Sequence, residues 1–108
     1  MIKDDVPPCL LPELAFICIR ELCLHSWVYY KKDDNLISDH EYDSLYFFIK
    51  DNLSWLKEYD INGYLKNEYF EGTCPSTFGL ANEISGLTLE WCKYRYKKAR
   101  ENNDKKTD

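Results

Sequence analysis

The chain has 108 residues, of which 44% are hydrophobic and 16% aromatic, and its net charge is −5. This length predicts one domain with its own core, and the apolar content excludes a disordered chain. Residues 1–92 carry −9 (7 basic, 16 acidic) and residues 93–108 carry +4 (7 basic, 3 acidic), so only the C-terminal segment is expected to attract nucleic acid. No apolar run reaches membrane-spanning length and the N-terminus does not resemble a secretory signal, which predicts a cytoplasmic protein with no membrane partner.

The first predicted helix covers about residues 12–30. Pro12 suits its first turn, where the missing N–H costs no hydrogen bond. The apolar residues after it lie on almost every face, which predicts a helix buried around most of its circumference. Two of the five cysteines, Cys18 and Cys23, lie in this run. Because the total is odd and no Cys-x-x-Cys occurs, we expect reduced, buried thiols and no metal site.

The second predicted helix begins at the sequence SDHE, residues 38–41. This is a capping box, in which Ser38 and Glu41 exchange hydrogen bonds. Apolar residues at spacings of three and four continue to Leu56 and predict one helical stripe. The sequence DING then predicts the end of the segment, since Gly63 is free to adopt a positive φ.

The rest of the chain is less regular until its last helix. Two glycines and Pro75 predict a loop over much of residues 64–82, with a short helix near 61–68 as an option. The last predicted helix covers about residues 82–101, and its apolar face carries Ile84, Leu87, Trp91 and Tyr94. Its basic face is a candidate contact for nucleic acid or a protein partner and carries Lys93, Lys97 and Arg100.

Together these elements predict a mostly α fold, with a helical hairpin and a C-terminal helix in a small single-domain bundle. The domain is expected over residues 1–101, and residues 102–108 are expected to form a disordered tail. The linker of roughly eight residues fits a hairpin, which returns the chain on itself. The hairpin therefore brings the end of the first helix near the first turn of the second, and so collects Tyr29, Tyr30, Asp39, Tyr42 and Asp43. Tyrosine faces and two carboxylates suit a flat, positively charged ligand with hydrogen-bonding groups.

The stretch YYKKDDNLISDHEYDSL, residues 29–45, resembles the signature of the N-terminal (Ia) domain of NAD-dependent DNA ligases. The matching residues are scattered and largely polar, and they are Tyr29, Tyr30, Asp33, Ile37, Ser38, Asp39, Glu41, Tyr42, Asp43 and Leu45. The resemblance covers about residues 10–60. It departs from the family at Asn35, where proline is usual, and at Lys31 and Lys32, which replace an apolar pair.

The resemblance implies a site for the nicotinamide mononucleotide (NMN) half of NAD as cofactor. Such a site orients NMN as the leaving group while a lysine of a separate nucleotidyltransferase domain attacks the adenylyl phosphorus. The residues carried over to the NMN pocket are Tyr29, Tyr30, Asp39, Tyr42 and Asp43. No Lys-x-Asp-Gly adenylation motif occurs, so the chain has no catalytic residue of that reaction and is not a complete ligase.

Two functions stay open at this point. The chain could be the accessory or small subunit of an NAD-dependent DNA ligase, with a nucleotidyltransferase subunit as partner in DNA replication and repair. It could instead be a small acidic interaction protein, such as a phage-encoded inhibitor, that keeps the fold without catalysis and docks on a nucleic-acid-binding or defence complex of a host. A third interpretation, an independent NAD hydrolase or transferase using Asp39 or Asp43, lacks a second, opposed carboxylate.

Overall fold

The computed structural model describes residues 3–72 and 76–107, and every regular element within those ranges is helical. This confirms the predicted mostly α class. The α-helices are α1 (Leu11–Lys31), α2 (Asp39–Asp51), α3 (Leu53–Leu56), α4 (Phe78–Glu83) and α5 (Gly86–Thr107). Short 3₁₀ turns lie at Lys3–Asp5, Pro8–Leu10, Lys57–Tyr59 and Asn67–Phe70. None of the helices in these two ranges combines the length and the apolar character that crossing a membrane requires.

The helix α1 is the centre of the fold, because α2, α4 and α5 all pack against it. Its sequence allows this, since every residue from Leu22 to Val28 is buried, whereas the first half of the helix has an exposed face that carries Phe16, Ile17 and Arg20. Leu22, Cys23 and Leu24 are three consecutive residues with no exposed surface, which a helix with one apolar stripe could not provide. The predicted deep burial is therefore confirmed for the second half of the first helix only.

The capping box at the start of α2 is present with both of its bonds. The backbone N–H of Glu41 donates to the Ser38 hydroxyl at 3.1 Å, and the Ser38 N–H donates to the Glu41 carboxylate at 3.3 Å. The predicted stop is also confirmed, with Gly63 at φ 69°. Asp60 reinforces that turn, because its carboxylate accepts from the backbone N–H groups of Tyr64 and Leu65 at 3.0 and 2.8 Å.

The segment before α5 differs from its prediction. The short helical turn lies at Asn67–Phe70 instead of 61–68, and α4 occupies part of the predicted loop. Helix α4 contains Gly79, where a Cβ would lie 2.7 Å from the ring of Tyr69. The glycine that suggested a loop is thus required for close packing, and long-range contact overrides its low helix propensity.

The apolar face predicted for the last helix is right for Trp91, which is partly buried and packs against the core, and wrong for its other members. Gly86 has φ 61° and starts α5, so Ile84 lies outside the helix and is buried separately. The face that packs inward carries buried Cys92 with the half-buried Leu89 and Tyr96. Leu87 and Tyr94 are exposed instead. Side-chain description ends at Asn102, and the tail disorder expected for 102–108 stays a prediction.

Four cysteines lie in the described ranges, and all four are free thiols. Cys18, Cys23 and Cys92 are buried as expected, and burial raises the pKa of each thiol. The expectation of burial is wrong for Cys9, which is exposed beside α1. Cys74 lies outside the described residues.

Candidate functional site

A pocket of about 230 Å³ lies where the end of α1 faces the first turn of α2. The loop between the two helices completes its wall. All five side chains expected at the site line this pocket. The full lining is His25, Tyr29, Tyr30, Asn35, Leu36, Ile37, Asp39, Tyr42 and Asp43. It contains two carboxylates and no lysine or arginine.

The three tyrosine rings of the pocket contact one another, and one of them is largely exposed. Tyr29 and Tyr42 are near parallel, at 18° with 6.4 Å between ring centroids. Tyr30 meets Tyr29 edge-on at 4.9 Å and Phe78 edge-on at 5.5 Å, so it supports the ring beside it. Tyr29 is 52% exposed although its neighbours pack around it. A planar ligand could therefore reach its face.

The position of Tyr42 is fixed by a chain of three hydroxyls. Its Oη is hydrogen-bonded to Thr77 Oγ1 at 2.5 Å, and Thr77 Oγ1 is hydrogen-bonded to Ser26 Oγ at the same distance. Ser26 and Thr77 have no exposed surface. Burial raises the pKa of Tyr42 to about 12, so the phenol stays protonated and available for these bonds. These two hydrogen bonds connect α2 to α1 through Thr77, the residue that precedes α4.

The two carboxylates lie on the first turn of α2. Asp39 is exposed and Asp43 is half-buried. Neither side chain makes a hydrogen bond or ion pair with any residue in the described ranges, so both can accept from a ligand. The positive end of the α2 dipole makes this turn a favourable place for negative charge. The helix dipole thus explains why two negative charges, Asp39 and Asp43, are acceptable in this turn. Their carboxylate oxygens have no partner in the described ranges, so a binding role stays open.

His25 is a pocket residue that the sequence reasoning missed. It is 9% exposed, and its Nε2 lies 3.1 Å from the Glu21 carboxylate. Glu21 also accepts from Arg95 Nη1 at 3.1 Å. The hydrogen bond to His25, followed by that to Arg95, lowers the pKa of Glu21. Glu21 is therefore an acceptor, which assigns the proton to Nε2 and leaves Nδ1 buried without a partner among the described residues.

The spacing of His25 could have indicated its place. It lies four residues before Tyr29, and positions i and i+4 share a helix face. Thr77 gave no such signal, because it is 51 residues from Ser26 and follows a segment without clear periodicity.

The basic residues predicted as a contact face are partly engaged within the chain. Arg100 is paired with Asp34 in the hairpin loop, and Lys93 Nζ lies 3.5 Å from the Glu90 carboxylate. Lys97 is exposed. The three side chains therefore do not present three equally free positive charges, although a contact through Lys93 and Lys97 stays a prediction.

Comparisons of this chain with protein-family models, with curated proteins and with solved structures found no match in any of the three. The pocket geometry is therefore the observation that bears on function, and the resemblance to the ligase domain stays a prediction.

Proposed function

We propose that the chain is an NMN-recognising module that positions the nicotinamide leaving group of NAD for a separate nucleotidyltransferase. It would act as the accessory or small subunit of an NAD-dependent DNA ligase. The observation that supports this is the convergence of Tyr29, Tyr30, Asp39, Tyr42 and Asp43 on one pocket. These are the residues that the ligase-like signature carries over.

The tyrosines suit the ring of nicotinamide. Tyr29 and Tyr42 present near-parallel faces, and a pyridinium ring is both flat and positively charged. Aromatic contacts of this kind contribute about 0.5–1.5 kcal/mol beyond the area they bury. A cation against an aromatic face adds about 0.5–2 kcal/mol, depending on its desolvation.

The carboxylates suit the charge and the hydrogen-bonding groups of NMN. Asp39 and Asp43 can accept from a carboxamide N–H or from ribose hydroxyls. They also favour the pyridinium cation over the neutral, reduced dihydropyridine. At a surface site this preference is on the order of 1 kcal/mol, which is several-fold in affinity. The oxidised dinucleotide is therefore the expected ligand.

The size of the pocket agrees with recognition of half a dinucleotide. About 230 Å³ is below the ~300–1,000 Å³ of sites that enclose a drug-sized ligand. The ring and part of the ribose would be held, and the adenylyl half would stay outside for the partner. The contribution to catalysis would be orientation of the leaving group, which is inert until a nucleophile is supplied.

Calorimetric titration with NMN and NAD tests the pocket. Asp39→Asn and Tyr29→Leu are expected to weaken binding by about fivefold or more, since each removes one contact of roughly 1 kcal/mol. Asp51→Asn and Tyr94→Leu are matched controls, because they make the same changes at exposed positions outside the pocket. No binding by the intact protein, or equal losses in the controls, would contradict the proposal.

The catalytic partner is tested by addition. A ligase fragment that holds the nucleotidyltransferase domain but lacks its Ia domain should form its lysyl-AMP adduct from NAD faster when this chain is present. Asp39→Asn should reduce that gain and Asp51→Asn should not. Unchanged adduct formation would remove the subunit role while leaving NMN binding to be decided by calorimetry.

An interaction protein is the second candidate, and an apolar surface groove favours it. Phe16, Ile61 and Tyr64 line this groove together with Arg20, and Ile61 is 83% exposed. Exposed apolar side chains around a groove are typical of protein contacts. Ile61→Asp should abolish capture of a host complex if this surface carries the function, and it should leave NMN binding unchanged.

A further inference from the structure

The loop between α1 and α2 forms one wall of the pocket through three consecutive residues, Asn35, Leu36 and Ile37. Just before them the backbone is constrained. Asp33 has φ 51°, in the left-handed region that costs a residue with a Cβ about 1 kcal/mol or more. The next residue, Asp34, donates its N–H to the carbonyl of Val28 at 3.3 Å. Something must hold the loop in this conformation.

Two side chains of α5 donate hydrogen bonds to the Asp34 carboxylate. The Tyr96 hydroxyl donates to it at 2.8 Å, and Arg100 Nη2 donates to the same oxygen. Its other oxygen accepts from the Asn35 N–H at 2.8 Å. The Asp34 side chain is 17% exposed, which makes its contacts less screened than those of an open surface pair.

The two α5 residues are themselves held in place. The Tyr96 ring meets Trp27 of α1 edge-on at 6.0 Å, and the Arg100 guanidinium lies over the Tyr96 ring at 5.6 Å. The contact is therefore a small network that joins α1, the loop and α5. It reaches across 62 and 66 residues of sequence to a position adjacent to the pocket wall.

We propose that Tyr96 and Arg100 are positioning residues of the pocket, which act through Asp34 on the wall formed by Asn35, Leu36 and Ile37. The consequence for ligand affinity rests on the proposed NMN function, whereas the effect on the loop does not. Arg100 then belongs to the pocket's support and not to a nucleic-acid contact. Without the network, Asp34 loses its cation and the loop keeps only its backbone bond to Val28 beside the constrained Asp33.

Hydrogen exchange of the loop tests the positioning without any ligand. Arg100→Gln, Asp34→Asn and Tyr96→Phe are expected to speed exchange of the two hydrogen-bonded loop amides, those of residues 34 and 35, by about fivefold. Tyr96→Phe keeps the contact with Trp27, so it removes the hydroxyl alone. Lys97→Gln is the matched control, because it removes the same charge one position from Tyr96 on an exposed side chain. Loop exchange unchanged in all three variants, or raised equally in Lys97→Gln, would overturn the proposal.

NMN affinity provides the second readout. Arg100→Gln and Asp34→Asn should each weaken binding by about fivefold, and the double variant should be no weaker than either. Additive losses would show that the two residues act separately and would also overturn the positioning role. If the intact protein binds no NMN, the proposed function fails, and the hydrogen exchange of the loop alone decides whether Tyr96 and Arg100 position it. If NMN binds and these variants leave its affinity unchanged, only the positioning role fails.

Discussion

Replacing Thr77 with valine removes the central hydroxyl of the chain that fixes Tyr42. Valine has nearly the shape of threonine, so the change deletes two hydrogen bonds with little change in packing. Each bond contributes about 1 kcal/mol net, and the hydroxyls of buried Ser26 and half-buried Tyr42 each lose a partner. Ser26 can turn to its own helix carbonyl, which recovers part of the loss. We therefore expect Thr77→Val to lower the free energy of unfolding by about 2 kcal/mol.

Urea denaturation measures this loss, and thermal melting should fall by roughly 8 °C for a chain of this size. Thr77→Ser is the control, since it keeps the oxygen and loses only a methyl group, worth about 0.8 kcal/mol. The double variant with Ser26→Ala should be less destabilised than the sum of the two single variants. A loss below about 0.5 kcal/mol for Thr77→Val would refute the buried hydroxyl chain, because a broken pair of buried bonds costs more.

Three further outcomes follow from the packing, charges and thiols. Gly79→Ala should destabilise the protein by about 1–2 kcal/mol in urea denaturation, because the added Cβ meets the Tyr69 ring, and this outweighs the higher helix propensity of alanine. In a Tyr69→Leu background the same change should be neutral or stabilising. The Asn35 N–H and then the Tyr96 hydroxyl lower the pKa of Asp34, so its stabilisation is present above the unfolded pKa of about 4 and lost as pH falls through the lower folded value. The melting-temperature difference between the protein and Asp34→Asn should therefore be largest near neutral pH and shrink below pH ~4. Burial raises the pKa of Cys92 to about 12, so alkylation of the folded protein should modify exposed Cys9 well before Cys92. Peptide mass spectrometry measures the two rates, and equal rates would contradict the burial of Cys92.

The local features of the fold were predictable from sequence. A capping box depends on residues three apart, and the end of the second helical segment depends on Gly63 and its neighbours. The face of α5 that packs inward was not predictable in the same way. Its pattern allows two apolar faces, and contact with α1 selects the one that carries Cys92 and leaves Leu87 in solvent. Helix α4 was missed because Gly79 is a poor helix former that close packing requires.

In the candidate pocket, the lining residues were predictable from sequence and the residues that support them were not. Its five expected side chains lie within fifteen residues of sequence, so a hairpin was enough to bring them together. The groups that hold them are remote. Thr77 reaches Tyr42 across 35 residues, and Tyr96 reaches Asp34 across 62, and no periodic pattern reports such contacts. His25 is the exception, because its spacing from Tyr29 placed it on the same helix face.

The side chains that support the pocket are far apart in sequence, which limits how easily the candidate site could be transferred to another protein. A hairpin peptide of residues 11–56 would contain every lining side chain, since all of them fall between His25 and Asp43. It would lack Thr77, Tyr96 and Arg100, and with them the anchors of Tyr42 and of the loop. Such a graft should lose the arrangement of the pocket before it loses helicity. Nearly the whole chain is therefore needed to maintain the candidate pocket, although its lining comes from one short segment.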